Sequence, residues 1–165
     1  MADSTTPRAS TRVSRTIRAP RKVIYAAFLD GEAVAQWLPP ESMTGAVHLF
    51  EPHEGGRFRI SLIYQDPANS LPGKSGESTD TVAGRFAELV PDERIVWAVE
   101  FESTDAAFSG EMIVTWTLSD ASTGTEVTVL MENLPPGVRP EDNEEGSRST
   151  LENLAAYVER SGLGA

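Results

Sequence analysis

Cysteine is absent from the 165 residues. That absence removes disulfides, thiolate metal sites and a cysteine nucleophile together. Histidine is nearly absent: His48 and His53 are the only two. Glu51 and Glu54 stand nearby, but the spacing matches no standard metal site and the strand parity separates the imidazoles, so surface histidines and no metal are expected. Positive charge is also scarce, with 14 Lys and Arg against 25 Asp and Glu and a net charge of −11. No basic stripe is available to neutralise a phosphate backbone, so nucleic acid is not an expected partner. The same charge argues against an anionic membrane surface. No apolar run approaches the roughly 20 residues that span a bilayer. The polar start MADSTTPRASTR lacks the apolar core of a secretory signal, so a cytoplasmic protein is expected. There is no G-x-S-x-G elbow, Walker loop or G-x-G-x-x-G, and no cofactor is expected.

What is present is an ordinary globular composition, 39% hydrophobic, in a chain long enough to bury about two-thirds of its unfolded surface as one domain. Residues 1–11 read as a disordered tail, 12–160 as a single domain and 161–165 as a short tail. The segment 140–160 is the long helix. Leu151, Leu154, Ala155 and Val158 form an apolar stripe. Glu141, Asp142, Glu144 and Glu145 suit the positive end of its dipole. Such a stripe needs a sheet to lie on.

The chain before it supplies one. From Arg12, Val13, Arg15 and Ile17 share a strand face. An arginine there reads three ways: a side chain snorkelling to solvent, a cation for an anionic ligand group, or half of an internal ion pair. Pro20 opens a short helix carrying Val23, Ile24, Ala27 and Phe28. A second short helix ends at Pro39-Pro40 with Trp37 beside the turn, as core plug, ligand contact or both. Strands follow near 44–51 and 57–64, joined by a turn with Gly55-Gly56. Phe58, Ile60, Leu62 and Tyr64 alternate on the inward face. Residues 65–81 lack apolar periodicity and read as a flexible hairpin tip or a lid. Four more strands follow, about 81–89, 94–102, 110–118 and 125–132. Alternation is clean on three of them. Trp97, Val99 and Phe101 point inward, as do Met112, Val114 and Trp116.

These aromatics face the wedge between sheet and long helix. Filled, the wedge is a core; hollow, it is an apolar pocket with polar anchors. Tyr64, Tyr157, Arg15 and the indole N–H groups of Trp97 and Trp116 are the available anchors. Carboxylates lie mostly on the acidic helix start and outward faces, unless Glu100 or Glu102 turns inward at a bulge.

The order strand, two short helices, six strands, long helix is that of an α+β helix-grip fold: a seven-stranded curved antiparallel sheet wrapped around a long C-terminal helix. The sequence VSRTIRAPRKVIYAAFLDGEAVAQWLPP resembles the opening of START-like SRPBCC proteins, in the branch named after the activator of Hsp90 ATPase homologue 1. Arg15, Ala19, Pro20 and Trp37 occupy its motif positions. GGRFRI, GRFAELVPDERIVW, TGTEVTV and STLENLAAYVE continue the similarity over about residues 12–160. Many relatives carry an aromatic residue after the glycine near the start of the last helix. Here Gly146 is followed by Ser147, which widens the pocket mouth or is compensated by a neighbour such as Phe50.

The resemblance implies a small apolar or amphipathic ligand held between sheet and last helix. Its lining would be Arg15, Trp37, the inward residues of the strands, Leu154 and Tyr157. Two other roles stay open. One is a cyclase, aromatase or hydrolase using Arg15, Tyr64 and Tyr157. The other is a protein-interaction module, such as an Hsp90-type co-chaperone. A homodimer is also left open.

Overall fold

The computed structural model describes residues 8–40, 43–64 and 79–160, with the side chains of Tyr64 and Arg160 outside the description. Residues 1–7, 41–42 and 161–165 lie outside it, as do residues 65–78 of the stretch read from sequence as a hairpin tip or a lid. Strand β1 (Thr11–Ile17) leads into helices α1 (Arg21–Phe28) and α2 (Gly31–Trp37). Then come β2 (Met43–Phe50), β3 (Arg57–Tyr64), β4 (Thr79–Val90), β5 (Arg94–Phe101), β6 (Met112–Ala121) and β7 (Gly124–Glu132). Helix α3 (Pro140–Arg160) closes the described chain. The strands form one antiparallel sheet in the order β1-β7-β6-β5-β4-β3-β2. This is the helix-grip arrangement.

Each helix start follows from local chemistry. Pro20 precedes α1 with φ −67°, a position where its missing N–H costs nothing. Asp30 caps α2 by accepting from Glu32 N at 3.0 Å. Helix α2 lies close on β2 because Gly45 has no side chain. A Cβ there would stand 2.8 Å from the Ala35 carbonyl oxygen and 2.9 Å from Pro39. At the β2–β3 turn, Gly55 takes φ +84°, a conformation that side chains disfavour.

Thr11 already pairs with Met131, and Ala9 O accepts from Leu134 N at 3.0 Å. The segment 103–109 is more than a turn, since Ala106–Phe108 form one 3-10 turn capped by Asp105. The strand with imperfect alternation is β4, and a bulge explains it. The register shifts between Phe86 and Glu88, so that Phe86 faces Trp97 while Leu89 faces Ile95. One extra residue restores the inward face after an odd spacing.

Helix α3 lies along β1. Asn143 meets the Thr11 hydroxyl at one end, and Glu159 accepts from Arg18 N at the other. Leu151, Leu154, Ala155 and Val158 are buried between helix and sheet, as the stripe predicts. Thr150 and Asn153 fasten the same helix to the end of α2 through the carbonyls of Leu38 and Pro39.

Candidate functional site

The wedge between α3, the short helices and the sheet is floored by a continuous set of rings. Phe28 packs on Trp37 and Trp116 with centroids 4.7 and 5.0 Å away. Trp116 packs on Trp97 at 5.4 Å, Trp97 on Phe58 at 5.2 Å, and Phe58 on Phe86 at 5.4 Å. Most of these contacts are edge-on, the favourable geometry for ring quadrupoles. Gly84 makes the Phe58 position available. A Cβ there would stand 2.8 Å from the Phe58 ring and 2.7 Å from Val99. No local pattern singles out that glycine, because its role is set by a ring from the neighbouring strand.

The three tryptophans differ in their polar ends. Trp37 donates its indole N–H to the Ala27 carbonyl at 3.0 Å, which fixes it as a core plug. The indole nitrogens of Trp97 and Trp116 are buried and have no hydrogen-bond partner. The hydroxyl of Ser147 on α3 is likewise buried and unpartnered. Buried donors are nearly always paired in folded proteins, and leaving one unmade costs about 1–3 kcal/mol.

Burial changes along the wedge. Phe58, Ile60, Trp97, Val99, Met112, Val114, Trp116 and Leu154 are buried. Toward the end where α3 begins, Leu62, Val82, Phe101, Met131 and Val138 pack on the core but are only partly covered. Phe101 there meets Phe108 at 6.3 Å. Asp80 stands at the same end. It pairs with Leu62 across the strands, so it shares the inward face, and it is buried. A carboxylate there breaks the apolar alternation, and sequence reasoning passed over it as part of the 65–81 loop.

Two predicted anchors lie elsewhere. Arg15 keeps the inward parity of Val13 and Ile17, but its side chain is exposed, in solvent rather than in the wedge. Its flexible stem carries the charge past the sheet edge, since β1 is an edge strand. Tyr157 is half-buried near the other end of α3, beside Val158 and Glu159. The Tyr64 side chain lies outside the described residues.

The outward face is polar and paired. Glu102 accepts two hydrogen bonds from Arg59, at 2.7 and 2.8 Å, which lower its carboxyl pKa. Glu100 is exposed as well. His48 sits at a bulge in β2, with Nε2 2.8 Å from the Ser61 hydroxyl. His53 contacts the Glu54 carbonyl at 3.1 Å. Among the described residues no acid and histidine cluster suits a metal ion. No described helix is long and apolar enough to cross a membrane.

A separate open cleft of about 640 Å³ lies at the β2 edge, lined by the α1–α2 turn, Ala35, Val47, Phe50 and Pro52. None of the predicted lining residues reaches it. Phe50 belongs to this cleft and to a contact with Phe86 at 5.5 Å.

The sequence profile described as "Activator of Hsp90 ATPase homolog 1-like protein" matches residues 18–159. The chain belongs to the activator of Hsp90 ATPase homolog 1-like family. A crystal structure of a Chromobacterium violaceum protein is similar at 34% identity, covering 91% of this chain and 96% of that one, with a TM-score of 0.80. An AHSA1-like protein of Aeromonas hydrophila shares the fold at 18% identity, covering 94% and 95%, with a TM-score of 0.71. A Rhodobacter sphaeroides protein does so at 18% identity, covering 94% and 97%, with a TM-score of 0.74. No functionally curated protein matches the chain. Membership of this family accounts for the helix grip and its turns, while a shared fold leaves the role to the site.

Proposed function

We propose that this family member binds a small apolar or amphipathic molecule between the sheet and α3, entering at the end where α3 begins. The observation that carries this reading is the gradient of burial along the inward face. Its middle is sealed by rings, whereas Leu62, Val82, Phe101, Met131 and Val138 stay partly exposed around one end. Apolar surface gathered on a concave face gains about 25 cal/mol for each Å² that a ligand removes from water. The buried residues Trp97, Val99, Met112, Val114 and Trp116 form the floor beneath that end, with Phe58, Ile60 and Leu154 beside it. Trp37 packs edge-on against Trp116 of that floor.

Thermal unfolding against planar aromatic, sterol-like, fatty-acyl and polyketide-like compounds tests the reading. A ligand at 100 times its dissociation constant adds about 2.7 kcal/mol, or roughly 5–10 °C in melting temperature for a domain of this size. The expected result is a shift of that order for at least one class, lost in Phe101→Asp, which places a charge at the entrance. Melting temperatures unmoved by every class would sink the proposal.

A further inference from the structure

We infer that the molecule held in the wedge is uncharged and presents a hydrogen-bond acceptor, such as a ketone, ester or quinone oxygen, to Trp97, Trp116 and Ser147. This rests on the ligand-binding reading above and adds the chemistry of the ligand.

Three buried polar groups without partners fall on two neighbouring rows of the wedge. Helix α3 runs beside β1 in the same direction, from the Asn143–Thr11 contact to the Glu159–Arg18 contact. Ser147 lies one turn beyond Asn143, about 6 Å along the axis. That advance equals about two strand residues, which is the level of Val13. Val13 pairs with Val129, and Val129 with Trp116. Trp97 stands beside Trp116 on the same inward face, with ring centroids 5.4 Å apart. Trp97 pairs with Val114, and Val114 leads through Met131 to Thr11, one inward row nearer the start of α3, so two indole donors and a hydroxyl fall on neighbouring rows.

The donor set selects the ligand. An indole N–H only donates, so two of them call for an acceptor; the Ser147 hydroxyl can donate too. The charges of the wedge then decide between a neutral acceptor and an anion. Among the described residues no lysine, arginine or histidine is buried, and Arg15 points to solvent. The one buried acid on this face is Asp80. A carboxylate or phosphate brought here would lose its hydration without gaining a buried cation from the described residues, which is strongly unfavourable. A neutral carbonyl loses far less and has donors waiting. A pure hydrocarbon would leave those donors unmade.

Matched compounds test this directly by isothermal titration calorimetry on the full chain. Fluorenone, fluorene and fluorene carboxylate share one ring system; methyl laurate, dodecane and laurate share one chain. The neutral carbonyl compound of a set is expected to bind about tenfold tighter than its hydrocarbon, through two donors gaining an acceptor. The carboxylate is expected to bind no tighter than the hydrocarbon. Trp97→Phe and Trp116→Phe each keep a ring in place, and Ser147→Ala keeps the helix. In these variants the ratio of carbonyl to matched hydrocarbon affinity should shrink several-fold. If the carboxylate binds tightest, or the preference survives in Trp97→Phe/Trp116→Phe, this inference is wrong and the binding reading stands. If hydrocarbon, ester and ketone all fail to bind, the binding reading falls and takes the inference with it.

Discussion

Trp37 and Trp97 are both buried indoles, yet they carry opposite polar accounts. Trp37→Phe deletes a made hydrogen bond and leaves the Ala27 carbonyl short of a donor. Trp97→Phe deletes a donor that had no partner. Both lose similar ring volume. The difference predicts that Trp37→Phe is more destabilising than Trp97→Phe by about 1–3 kcal/mol. Urea unfolding with unchanged m-values would read it out, and equal midpoints for the two variants would contradict the assignment. Residue type and parity alone show an aromatic on a helix end and two on strands. Which indole finds a carbonyl depends on how α1 and α2 pack, and that is a tertiary fact. Arg15 gives the same lesson from the other side. Its parity is inward, as the alternation required, but the edge position of β1 lets its charge escape.

At the scale of elements, the strand pairs explain the outward polarity. Arg59 on β3 reaches across β4 to Glu102 just beyond β5. Ala83, paired with Arg59 on one side and Glu100 on the other, leaves room for the crossing. The hydrogen bonds from Arg59 are the main cause of the lowered Glu102 pKa. A carboxyl whose folded pKa is depressed stabilises the fold above its unfolded pKa, about 4.3. That contribution is lost as pH falls through the lower, folded value. A double-mutant cycle with Arg59→Ala and Glu102→Gln should therefore show a small favourable coupling at neutral pH. It should weaken in high salt, since both side chains are well exposed, and vanish in strong acid. A coupling that persisted in strong acid would show that the pair is held by packing instead of charge. The bulge in β4 is the other lesson at this scale. Alternation in the sequence predicted a strand there, but the skipped register at Ala87 became visible only against β5.

For the whole molecule, α3 and the sheet depend on one another. The helix is polar on average and relies on its buried stripe, and among the described helices α3 is the one that packs most on β1. Leu154 is fully buried at their junction. Leu154→Ala should cost about 2–5 kcal/mol, measured by chemical denaturation. It should also raise amide exchange in β1 and α3 together, because the two form one contact. Protection lost in α3 alone would mean that the helix is an independent unit. The element order, the apolar stripe of α3 and the inward face of most strands were legible in the chain. Those follow from local periodicity, which side-chain alternation and helical spacing write directly into the chain. It also carried the family resemblance, because turn prolines and glycines and packing positions sit at fixed places along it. Contacts between distant residues set the ring-lined floor of the wedge, the inward position of Asp80 and the room that Gly84 leaves for Phe58. The same packing buries Ser147 and two indoles without partners. Those facts depend on distances between residues far apart in the chain, and no local pattern records them.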